Sequence, residues 1–422
     1  AMTKAGLSNI VIDDQKGSGG QVYRNLKDNK SLTPTYLGES YYTGLDLYKA
    51  FTDCKTVYRP NCTVWQITEN HEIAVVWNGK AELITADYII LATGAIERAM
   101  PVQGWTLPGV MSVGGAQTLL KQAALGANDA IFVGAGPLLY LTVWQYIEAG
   151  LTVRAVIDTT QKINWLSALP FTPLALLQPK MLAMGLKWLH KIKAKTTVIK
   201  NVKKVEIIGK EAVEALSYTT KSGKKIQIST KTVYLHQGVV PNVNLSMATG
   251  LDHKWDKRAH CWRPVTDKTG KTSDERIYIA GDGSGIGGAE AAAISGKLAA
   301  STIAMRFGKV GSLSQLFYKF QHVYSLSIRP FLDRLYLPPA QFRVPQNDSA
   351  IICRCEAVNK ADINAALASG ANGPNQLKAF SRAGMGRCQG RNCGLIVQEM
   401  IAAHTGQSMA ETGYYRLRPP VK

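Results

Sequence analysis

The sequence has no long hydrophobic run and contains few cysteines. Its most apolar stretch, WLSALPFTPLALLQPKMLAMGL, is interrupted by three prolines and by Lys180, whereas a spanning helix needs about 20 consecutive apolar residues. A membrane-spanning helix is therefore not expected, and neither is a secretory leader, so we expect a cytoplasmic protein. Seven cysteines, an odd number in 422 residues, argue against a disulfide framework and for a reduced compartment.

Paired redox cysteines are also missing from the first 350 residues. Cys54, Cys62 and Cys261 stand alone in the sequence, which excludes exchange between a dithiol and a disulfide as the chemistry of this region. We expect these three residues to be small buried side chains.

Acidic residues are scarce relative to basic ones. The chain has 30 Asp and Glu residues and 49 Lys and Arg residues, so its net charge is +19. Such a charge suits binding to an acidic partner, a membrane surface or nucleic acid. The densest basic stretch, KWLHKIKAKTTVIKNVKK, has few interleaved aromatic residues, and no nucleic-acid docking motif accompanies it. We therefore expect no nucleic-acid partner.

The chain begins like the second half of a dinucleotide-binding βαβ unit. A helix end at Gly6 is followed by a strand, Ile10 to Ile12, and by Asp13 and Asp14. An acid at this strand end can accept hydrogen bonds from ribose hydroxyls, although either acid could instead be a solvated loop residue. We expect roughly 20–30 residues, carrying the first strand and its glycine turn, to precede this segment.

The stretch GSGGQVYR follows, and its backbone is flexible enough to pass close to a cofactor. The candidate cofactor contacts in and beyond this stretch are Gly20, Gln21, Arg24 and Val64.

Two further strand ends carry small and acidic residues. ADYIILATG predicts a strand from Tyr88 to Leu91 before Thr93 and Gly94, and RIYIAGDG predicts one from Ile277 to Ala280 before Gly281 and Asp282. Together these motifs resemble the flavoprotein disulfide-reductase superfamily. The resemblance implies that Thr93 and Gly94 lie beside FAD, that Asp282 holds its ribityl chain, and that the following helix points its N-terminus at the flavin.

A second βαβ unit lies between these two motifs. NDAIFVGAGPLLYL predicts a strand from Ala130 to Val133, then Gly134, Gly136 and a helix from about Pro137 to Ala149, and a later strand ends at Asp158. The third glycine of the dinucleotide fingerprint is replaced by Leu139, which should hold the helix away from the strand. Two interpretations stay open, a working NAD(P) site and a scaffold or altered nucleotide site.

Four cysteines cluster near the C-terminus with the pattern C-x-C, 32 residues, C-x4-C. They are Cys353, Cys355, Cys388 and Cys393. Cysteine-only ligation with tight first spacing favours a [2Fe–2S] cluster, whereas zinc sites usually have wider pairs and often histidine. Zinc and an unmetallated site remain the alternatives. The segment between the pairs predicts two short helices around a Gly-Pro turn, and the region resembles bacterioferritin-associated-ferredoxin-like domains, whose second pair is usually closer.

The motifs of the whole chain occur in one order, from GGQVYR through ATGAIERAMPVQGW, VGAGPLLYL, LHQGVVPN, AGDGSGIGGAEAAA and CRCEAV to GMGRCQGRNCG and YYRLRPPVK. They resemble the A or α subunit of heteromeric bacterial flavin dehydrogenases, which include opine oxidases, D-hydroxyproline and dye-linked proline dehydrogenases and hydrogen cyanide synthases. The expected fold is α/β, a Rossmann-type flavoprotein with two dinucleotide-binding domains and a small helical [2Fe–2S] domain.

The resemblance also implies a division of labour. A β subunit similar to D-amino-acid oxidase would oxidise the C–N bond of an amino acid, imino acid or opine. This chain would pass the electrons through FAD, an FMN at the subunit interface and the cluster to a quinone or dye. A small ferredoxin-like subunit is a further expected partner. The alternatives are a stand-alone NAD(P)H-dependent flavin and iron–sulfur reductase and a non-catalytic scaffold.

Two features leave several interpretations open. The amphipathic insertion FTPLALLQPKMLAMGLKWLHKIKAK could dock a partner, lie on the inner face of the membrane or pack as an ordinary surface helix. His236 could touch a flavin or nucleotide, or be structural. The expected domains are 1–100 with 231–305 for FAD, 101–230 for the second nucleotide unit, 306–345 as a connecting segment and 346–422 for the cluster.

Overall fold

The computed structural model describes residues 1–32 and 35–416. The chain forms two compact units. The first consists of Ala1–Ile96, Val240–Asp256 and Cys261–Arg329, and the second of Glu97–Val239, Lys257–His260 and the chain from Pro330 onward. The finer division into four domains stays a prediction, and its last segment ends outside the described residues.

The first unit contains two short parallel strand pairs. Ile10–Ile12 pairs with Val57–Arg59, and Ile89–Leu91 pairs with Ile277–Ile279. Its antiparallel strands are Thr63–Ile67, Glu72–Trp77 and Lys80–Thr85 in one sheet, and His253–Asp256 with Cys261–Pro264 in another. A further pair of short strands is formed by Ala95–Glu97 and Val239–Pro241.

The α-helices of the first unit are Leu26–Leu32, Glu39–Tyr42, Gly44–Thr52, Asn244–Ala248, Ala289–Arg306 and Ser312–Ser325, and its 3-10 helices are Thr3–Ala5, Thr35–Leu37 and Gly281–Gly283. Gly6 ends the first of these turns in the left-handed conformation with φ 71°, as the sequence predicts.

The second unit is built on a five-stranded parallel sheet. Its strand order is Thr197–Lys200, Val153–Asp158, Ala130–Gly134, Val233–His236 and Val110–Ser112. The strand AIFVG is buried at every position, which is the pattern of a parallel strand covered on both faces. A three-stranded antiparallel sheet, Val202–Ile208, Ala215–Thr220 and Lys225–Ser229, packs with it into one apolar core that includes Ile131, Ile157 and Leu216.

The helices of the second unit before the cysteine region are Val113–Ala123, Pro137–Glu148, Lys162–Ala168, Thr172–Leu176, Pro179–Lys195, Arg329–Leu335 and Ala340–Arg343, with a 3-10 turn at Leu169–Phe171. Pro137 stands at the first position of its helix, where its missing N–H costs no hydrogen bond.

The cysteine region has a small core of its own. A strand pair, Ile351–Cys353 and Val358–Asn359, leads into helices Lys360–Ala368, Pro374–Ser381 and Gly394–Thr405. The two short helices around the Gly-Pro turn match the sequence expectation. The Trp105 indole N–H donates to the Ile351 carbonyl oxygen at 2.7 Å, which ties this region to the antiparallel sheet side of the unit.

Within the described ranges, none of the helices combines the length and the apolar character that crossing a bilayer requires.

Candidate functional site

The predicted flavin contacts of the first unit lie at one edge of a parallel strand pair. Because Ile89–Leu91 and Ile277–Ile279 run in parallel, Thr93 and Gly94 emerge beside Gly281 and Asp282. A Cβ at Gly283 would lie 3.0 Å from Thr93 Oγ1, so the two turns are in contact. Gly94 adopts φ 67° and faces open space, which fits the close approach of a cofactor to the backbone.

Asp282 shapes the turn that precedes the long helix Ala289–Arg306. Its Oδ1 accepts hydrogen bonds from the amides of Gly287 at 2.8 Å and Gly288 at 3.0 Å. The Thr93 hydroxyl donates to the Asn242 carbonyl oxygen at 2.8 Å. Both predicted contacts are therefore held in place by backbone groups, which preorganises this edge for a ligand.

Asp13 and Asp14 follow strand Ile10–Ile12 as expected, but their surroundings differ. Asp13 is half-buried and accepts from the Gln15 amide at 2.9 Å, and it lies near the Tyr58 hydroxyl. Burial, followed by the charge of Asp13, raises the pKa of Tyr58 to about 12. Asp14 is exposed, and its Oδ1 accepts from the Gln15 side-chain amide at 2.8 Å.

The remaining candidates of this stretch are spread over a loop and a strand. Gly20 is exposed with φ 56° and faces open space, and Gln21 is exposed beside it. Arg24 donates through Nη1 to Gln15 at 3.0 Å, while its buried Nε has no protein partner in the described structure. Val64 is half-buried against the core of the first unit. The structure thus links Arg24 through Gln15 to the two acids.

Close packing explains Gly134 of the second nucleotide unit, whereas at Gly136 an added Cβ would meet only ordinary contacts, 3.8 Å from His236 Nε2, and φ is 115°. A Cβ at Gly134 would lie 1.8 Å from the His236 carbonyl oxygen, and its φ is 142°. His236 is buried, and its Nδ1 lies 2.5 Å from Glu97 Oε1, while Glu97 Oε2 accepts from the Gly114 amide at 2.9 Å. His236 is therefore paired within the protein, which favours the interpretation that this histidine has a structural role.

Asp158 ends its strand as predicted, but it is not open to a ligand. Only 4% of the residue is exposed. Its Oδ1 accepts from the Thr160 amide at 2.9 Å, and Lys200 lies 3.6 Å from Oδ2. Burial and the nearby Asp158 raise the pKa of both Tyr140 and Tyr336 above the ordinary value, and their rings lie 5.9 Å apart.

The chain that carries Tyr336 is fixed over this end of the sheet. The Asn164 side-chain amide donates to the carbonyl oxygens of Leu335 at 3.2 Å and Leu337 at 3.0 Å. Leu139, the residue in place of the third glycine, is completely buried in its helix. A ribose at the usual acidic position would have to displace protein atoms around Asp158.

The four clustered cysteines come together as two pairs. The Cys393 thiol donates to Cys353 and lowers the pKa of Cys353 to about 6. Cys355 contacts Cys388; burial raises the pKa of Cys355, opposed by a hydrogen bond from the Cys388 backbone and supported by the Cys388 side chain. Cys353 and Cys393 are buried, Cys388 is half-buried and Cys355 is exposed. One pair is therefore at the surface, and the other lies beneath it.

The structure does not gather the four cysteines around one ion. Across residues 1–32 and 35–416, no three His, Cys, Asp or Glu side chains are grouped to hold a single ion. In a [2Fe–2S] cluster, by contrast, four thiolates are shared between two irons, two to each. The backbone N–H groups of Gly384, Glu356 and Cys355 point at Cys353, and such donors are typical of iron–sulfur sites. Four cysteines with such amide donors are the residue types that this cluster takes.

Glycines let the chain wrap closely around the thiols. A Cβ at Gly386 would lie 2.3 Å from Cys355 Cβ, so only glycine fits there. Arg391 donates to the Cys388 carbonyl oxygen at 3.2 Å, and Arg354 lies over the Trp105 ring at 5.3 Å. These guanidinium groups bring positive charge to a site where thiolates would concentrate negative charge.

Three residues of these sites are not found by sequence reasoning. Glu97 lies within the motif ATGAIER, where an acid three residues after Gly94 is a visible signal. Tyr336 gives no signal, because only folding brings it to Asp158. Tyr415, in the closing motif, packs against the cysteine loop. Burial raises its pKa well above the ordinary value, so its hydroxyl stays protonated. The rest of that motif, after residue 416, lies outside the described residues.

The expectation for the isolated cysteines holds in part. Cys62 and Cys261 are buried, but Cys54 is half-buried, and its thiol lies 2.9 Å from the Phe51 carbonyl oxygen and 3.1 Å from Thr56 Oγ1. The polar partners at the end of helix Gly44–Thr52 explain why this side chain is not fully in the core.

The amphipathic insertion is not one helix packed flat on the core. Helix Pro179–Lys195 packs inward through Trp188, whose ring lies 6.3 Å from that of Trp144, and through an ion pair between Lys191 and Glu148. Large apolar side chains of the insertion and of the segment just before it point to solvent, with Leu166 64% and Leu186 67% exposed. The exposed members of this apolar surface are Ile163, Trp165, Leu166, Leu169, Leu174, Leu176, Leu177, Met181 and Leu186.

Two family models match the chain. Residues 48–296 match the pyridine nucleotide-disulphide oxidoreductases, and residues 347–422 match the sarcosine oxidase A3 domain. The first match covers more than half of the sequence and contains both strand-end motifs of the first unit as well as the second nucleotide unit.

Known proteins resemble the chain over its whole length. The A subunit of opine oxidase from Rhizobium meliloti is 40% identical over 99% of this chain and 82% of that protein. The HcnB subunit of hydrogen cyanide synthase from Pseudomonas protegens is 30% identical over 100% of this chain and 92% of that protein.

Among solved structures, L-proline dehydrogenase from P. horikoshii superposes with a TM-score of 0.71 at 18% identity, covering 100% of this chain and 74% of that one. The predicted Rossmann-type α/β fold is thereby confirmed.

Proposed function

The chain belongs to the family of opine oxidase A subunits and HcnB subunits, within the pyridine nucleotide-disulphide oxidoreductases, and from this we propose that it is the electron-transferring subunit of a heteromeric flavin-dependent dehydrogenase. The complex oxidises the C–N bond of an amino acid, imino acid or opine, so it acts on CH–NH or CH–NH2 donors. The observation that carries the proposal is the double pair of cysteines beneath backbone N–H donors, in a chain whose fold otherwise belongs to flavoproteins.

Oxidation of the substrate belongs to a partner in this proposal. The relatives are themselves named as subunits, which supports a heteromeric complex. The partner is a flavoprotein β subunit similar to D-amino-acid oxidase, with FMN at the interface between the two chains. A small ferredoxin-like subunit completes the assembly. Substrate choice then rests with the partner.

FAD is the cofactor that this fold implies for the first unit. The residues that would hold it are Asp13, Asp14, Gly20, Gln21, Arg24, Val64, Thr93, Gly94, Gly281 and Asp282. When bound, a flavin accepts two electrons together and releases them singly, which a one-electron cluster requires. The part played by this chain is to present backbone groups near Gly94 and the carboxylate of Asp282 at one edge of a strand pair.

In this proposal, electrons leave the chain through a cluster held by the four cysteines. Cys353 and Cys393 would hold the buried side of a [2Fe–2S] cluster, and Cys355 and Cys388 the side near the surface. An exposed cysteine beside the cluster shortens the distance to an external acceptor. A respiratory quinone or a dye is the acceptor that we propose.

A stand-alone NAD(P)H-dependent reductase is the first rival. Gly134, Gly136 and Asp158 occur in the order that a nicotinamide site requires, which favours it. The burial of Asp158 and its enclosure by Tyr140 and Tyr336 count against it. Bleaching of flavin absorbance on addition of NADH, without any partner, would support this rival.

The deciding experiment is an assay of metal and flavin in the anaerobically purified chain. We expect about two irons and matching acid-labile sulfide per chain, with a rhombic EPR signal after dithionite reduction. Cys393→Ser should lose the signal because it removes one of four ligands. Cys62→Ser, which changes an equally buried cysteine in the first unit, should keep it.

Other outcomes of this assay decide against the proposal. Zinc in place of iron, or a signal that survives in Cys393→Ser, would contradict the assigned ligand set. A colourless protein without metal or flavin would favour a non-catalytic scaffold.

This apolar surface, formed by the insertion and the segment just before it, supports a peripheral membrane location at the cytoplasmic face. No acidic residue occurs between Asp158 and Glu206, a stretch that contains nine lysines. Exposed Trp and Leu side chains next to lysines are typical of segments that lie on anionic membranes. We propose that this surface contacts the bilayer and so brings the chain close to a quinone.

A further inference from the structure

Tyr415 lies at the centre of the loop that carries the second cysteine pair. The residue is 3% exposed and belongs to the same buried cluster as Cys353 and Cys393. A Cβ at Gly384 would lie 2.9 Å from its ring, and one at Gly390 would lie 2.7 Å from it. The glycines of the motif GMGRCQGRNCG are thus needed partly to make room for this ring.

The backbone on either side holds Tyr415 in this position. The Asn375 side chain donates to the Tyr414 carbonyl oxygen at 3.2 Å and accepts from the Arg416 amide at 2.8 Å. Lys378 lies 5.9 Å from the centre of the ring. One side chain of helix Pro374–Ser381 therefore clamps both neighbours of Tyr415, so the ring cannot leave without breaking these bonds.

The hydroxyl of Tyr415 has no protein partner in the described part of the chain, although the oxygen is buried. Burying a polar group without a partner is unfavourable, so native structures rarely leave one unpaired. Cys353 and Cys393 belong to the same buried cluster as this ring, and a Cβ at Gly394, the neighbour of Cys393, would lie 3.6 Å from the ring. The cysteine sulfurs are therefore candidate partners for the buried hydroxyl.

We propose that the Tyr415 hydroxyl donates a hydrogen bond to a sulfur of the cluster held by the four cysteines, and that this bond raises the reduction potential. The inference rests on the proposed function, since it needs the cluster. Reduction adds negative charge to the cluster, and a hydrogen bond to sulfur stabilises the reduced form more than the oxidised form.

The test compares two single-atom deletions in the full chain. Tyr415→Phe removes the buried hydroxyl and keeps the ring that fills the loop, whereas Tyr414→Phe removes the hydroxyl of the adjacent half-buried tyrosine. We expect both variants to retain iron and sulfide. The midpoint potential of Tyr415→Phe should become more negative, and that of Tyr414→Phe should equal that of the unmodified chain.

A second measurement starts from the unmodified chain. Electron–nuclear double resonance of the unmodified reduced chain should detect a strongly coupled proton that disappears after exchange into D2O and in Tyr415→Phe. Absence of such a proton, or an unchanged potential in Tyr415→Phe, would overturn the inference while leaving the cluster in place. Loss of iron from Tyr415→Phe alone would also overturn it, because a tuning bond is not needed for assembly. An unmodified chain without iron would refute the proposed function itself.

Discussion

Gly134 shows how one residue can serve packing in a motif that suggests ligand binding. Because Gly134 has no side chain, the carbonyl of His236 on the neighbouring strand can come very close. A Cβ at Gly134 would lie only 1.8 Å from that carbonyl oxygen. The backbone also adopts φ 142°, which side chains disfavour. The glycine would be required here whether or not a nucleotide binds.

Replacing Gly134 should therefore destabilise the protein strongly. We expect Gly134→Ala to lower the free energy of unfolding by about 3 kcal/mol or more, since backbone must move to relieve the clash. Urea denaturation of the full chain measures the change.

Gly185 is the matched control for that substitution. It lies inside helix Pro179–Lys195, where an added Cβ would meet no atom within 4 Å. Gly185→Ala should raise stability by about 0.5–1 kcal/mol, because alanine favours the helix. Equal effects of the two substitutions would contradict the packing role of Gly134.

At the scale of elements, Glu206 connects strand Val202–Ile208 with the chain that leads to the cysteines. Its carboxylate lies 2.6 Å from Lys204 Nζ and 3.0 Å from Lys225 Nζ, and it accepts from the Asn347 side chain at 3.3 Å. The hydrogen bond from Lys204, opposed by burial and supported by Lys225 and Asn347, lowers the pKa of Glu206 to about 2.

This lowered pKa predicts a pH-dependent contribution to stability. A carboxyl whose folded pKa is below its unfolded value stabilises the protein fully above about pH 4.5, and the contribution disappears as the pH falls toward about 2. We expect Glu206→Gln to lower the free energy of unfolding by about 1–2 kcal/mol at neutral pH. This is less than the whole pKa shift would give, because Lys225 is largely exposed and solvent screens its charge.

Unfolding in urea over a pH series tests this contribution. The difference between the unmodified chain and Glu206→Gln should shrink between about pH 4.5 and pH 2. Glu211, exposed in the turn after the same strand, provides the control, and Glu211→Gln should change stability little at any pH. A difference for Glu206→Gln that is independent of pH would show that its charge does not matter.

At the scale of the whole molecule, charge and exposed apolar area coincide in one segment. Lys162 and Leu166 are four residues apart in one helix, and Leu186 and Lys193 are seven apart in another, so each pair lies on one side of its helix. Apolar side chains that enter the headgroup region and lysines that contact anionic lipid would act together there.

We therefore expect the purified chain to float with vesicles of phosphatidylcholine and phosphatidylglycerol. Binding should fall with rising salt and be weak on phosphatidylcholine alone, because lysines attract anionic headgroups by about 1 kcal/mol each. A triple variant, Trp165→Ser, Leu166→Ser and Leu169→Ser, should lose most of the binding in the flotation assay.

The control is a second exposed apolar face with far fewer lysines. Helix Ser312–Ser325 in the first unit contains only Lys319 and exposes Leu313 and Phe320, and replacing these two apolar residues with serine should leave flotation unchanged. If the triple variant still binds vesicles, or if it fails only to associate with a partner subunit, the membrane assignment is wrong.

The sequence by itself determined the fold class and most strand ends. The sequence predicted the strands that the structure has at Ile10–Ile12 and Ala130–Gly134. It could do so because the spacing of apolar residues and the chemistry of turn residues are local properties. The spacing of the four cysteines likewise selects them as candidate ligands, since thiols are rare in this chain, and their role as ligands stays a prediction. The family could also be named from the sequence, because its motifs occur in one order along the chain.

Only the tertiary structure decided how those residues are used. Asp158 follows its strand as a ribose-binding acid would, yet a distant segment covers it with Tyr336. Tyr415 reaches the cysteine loop, and the apolar side chains of the insertion face solvent instead of the core. Burial and contact depend on chain segments far apart in sequence, and local patterns carry no information about which segments will meet.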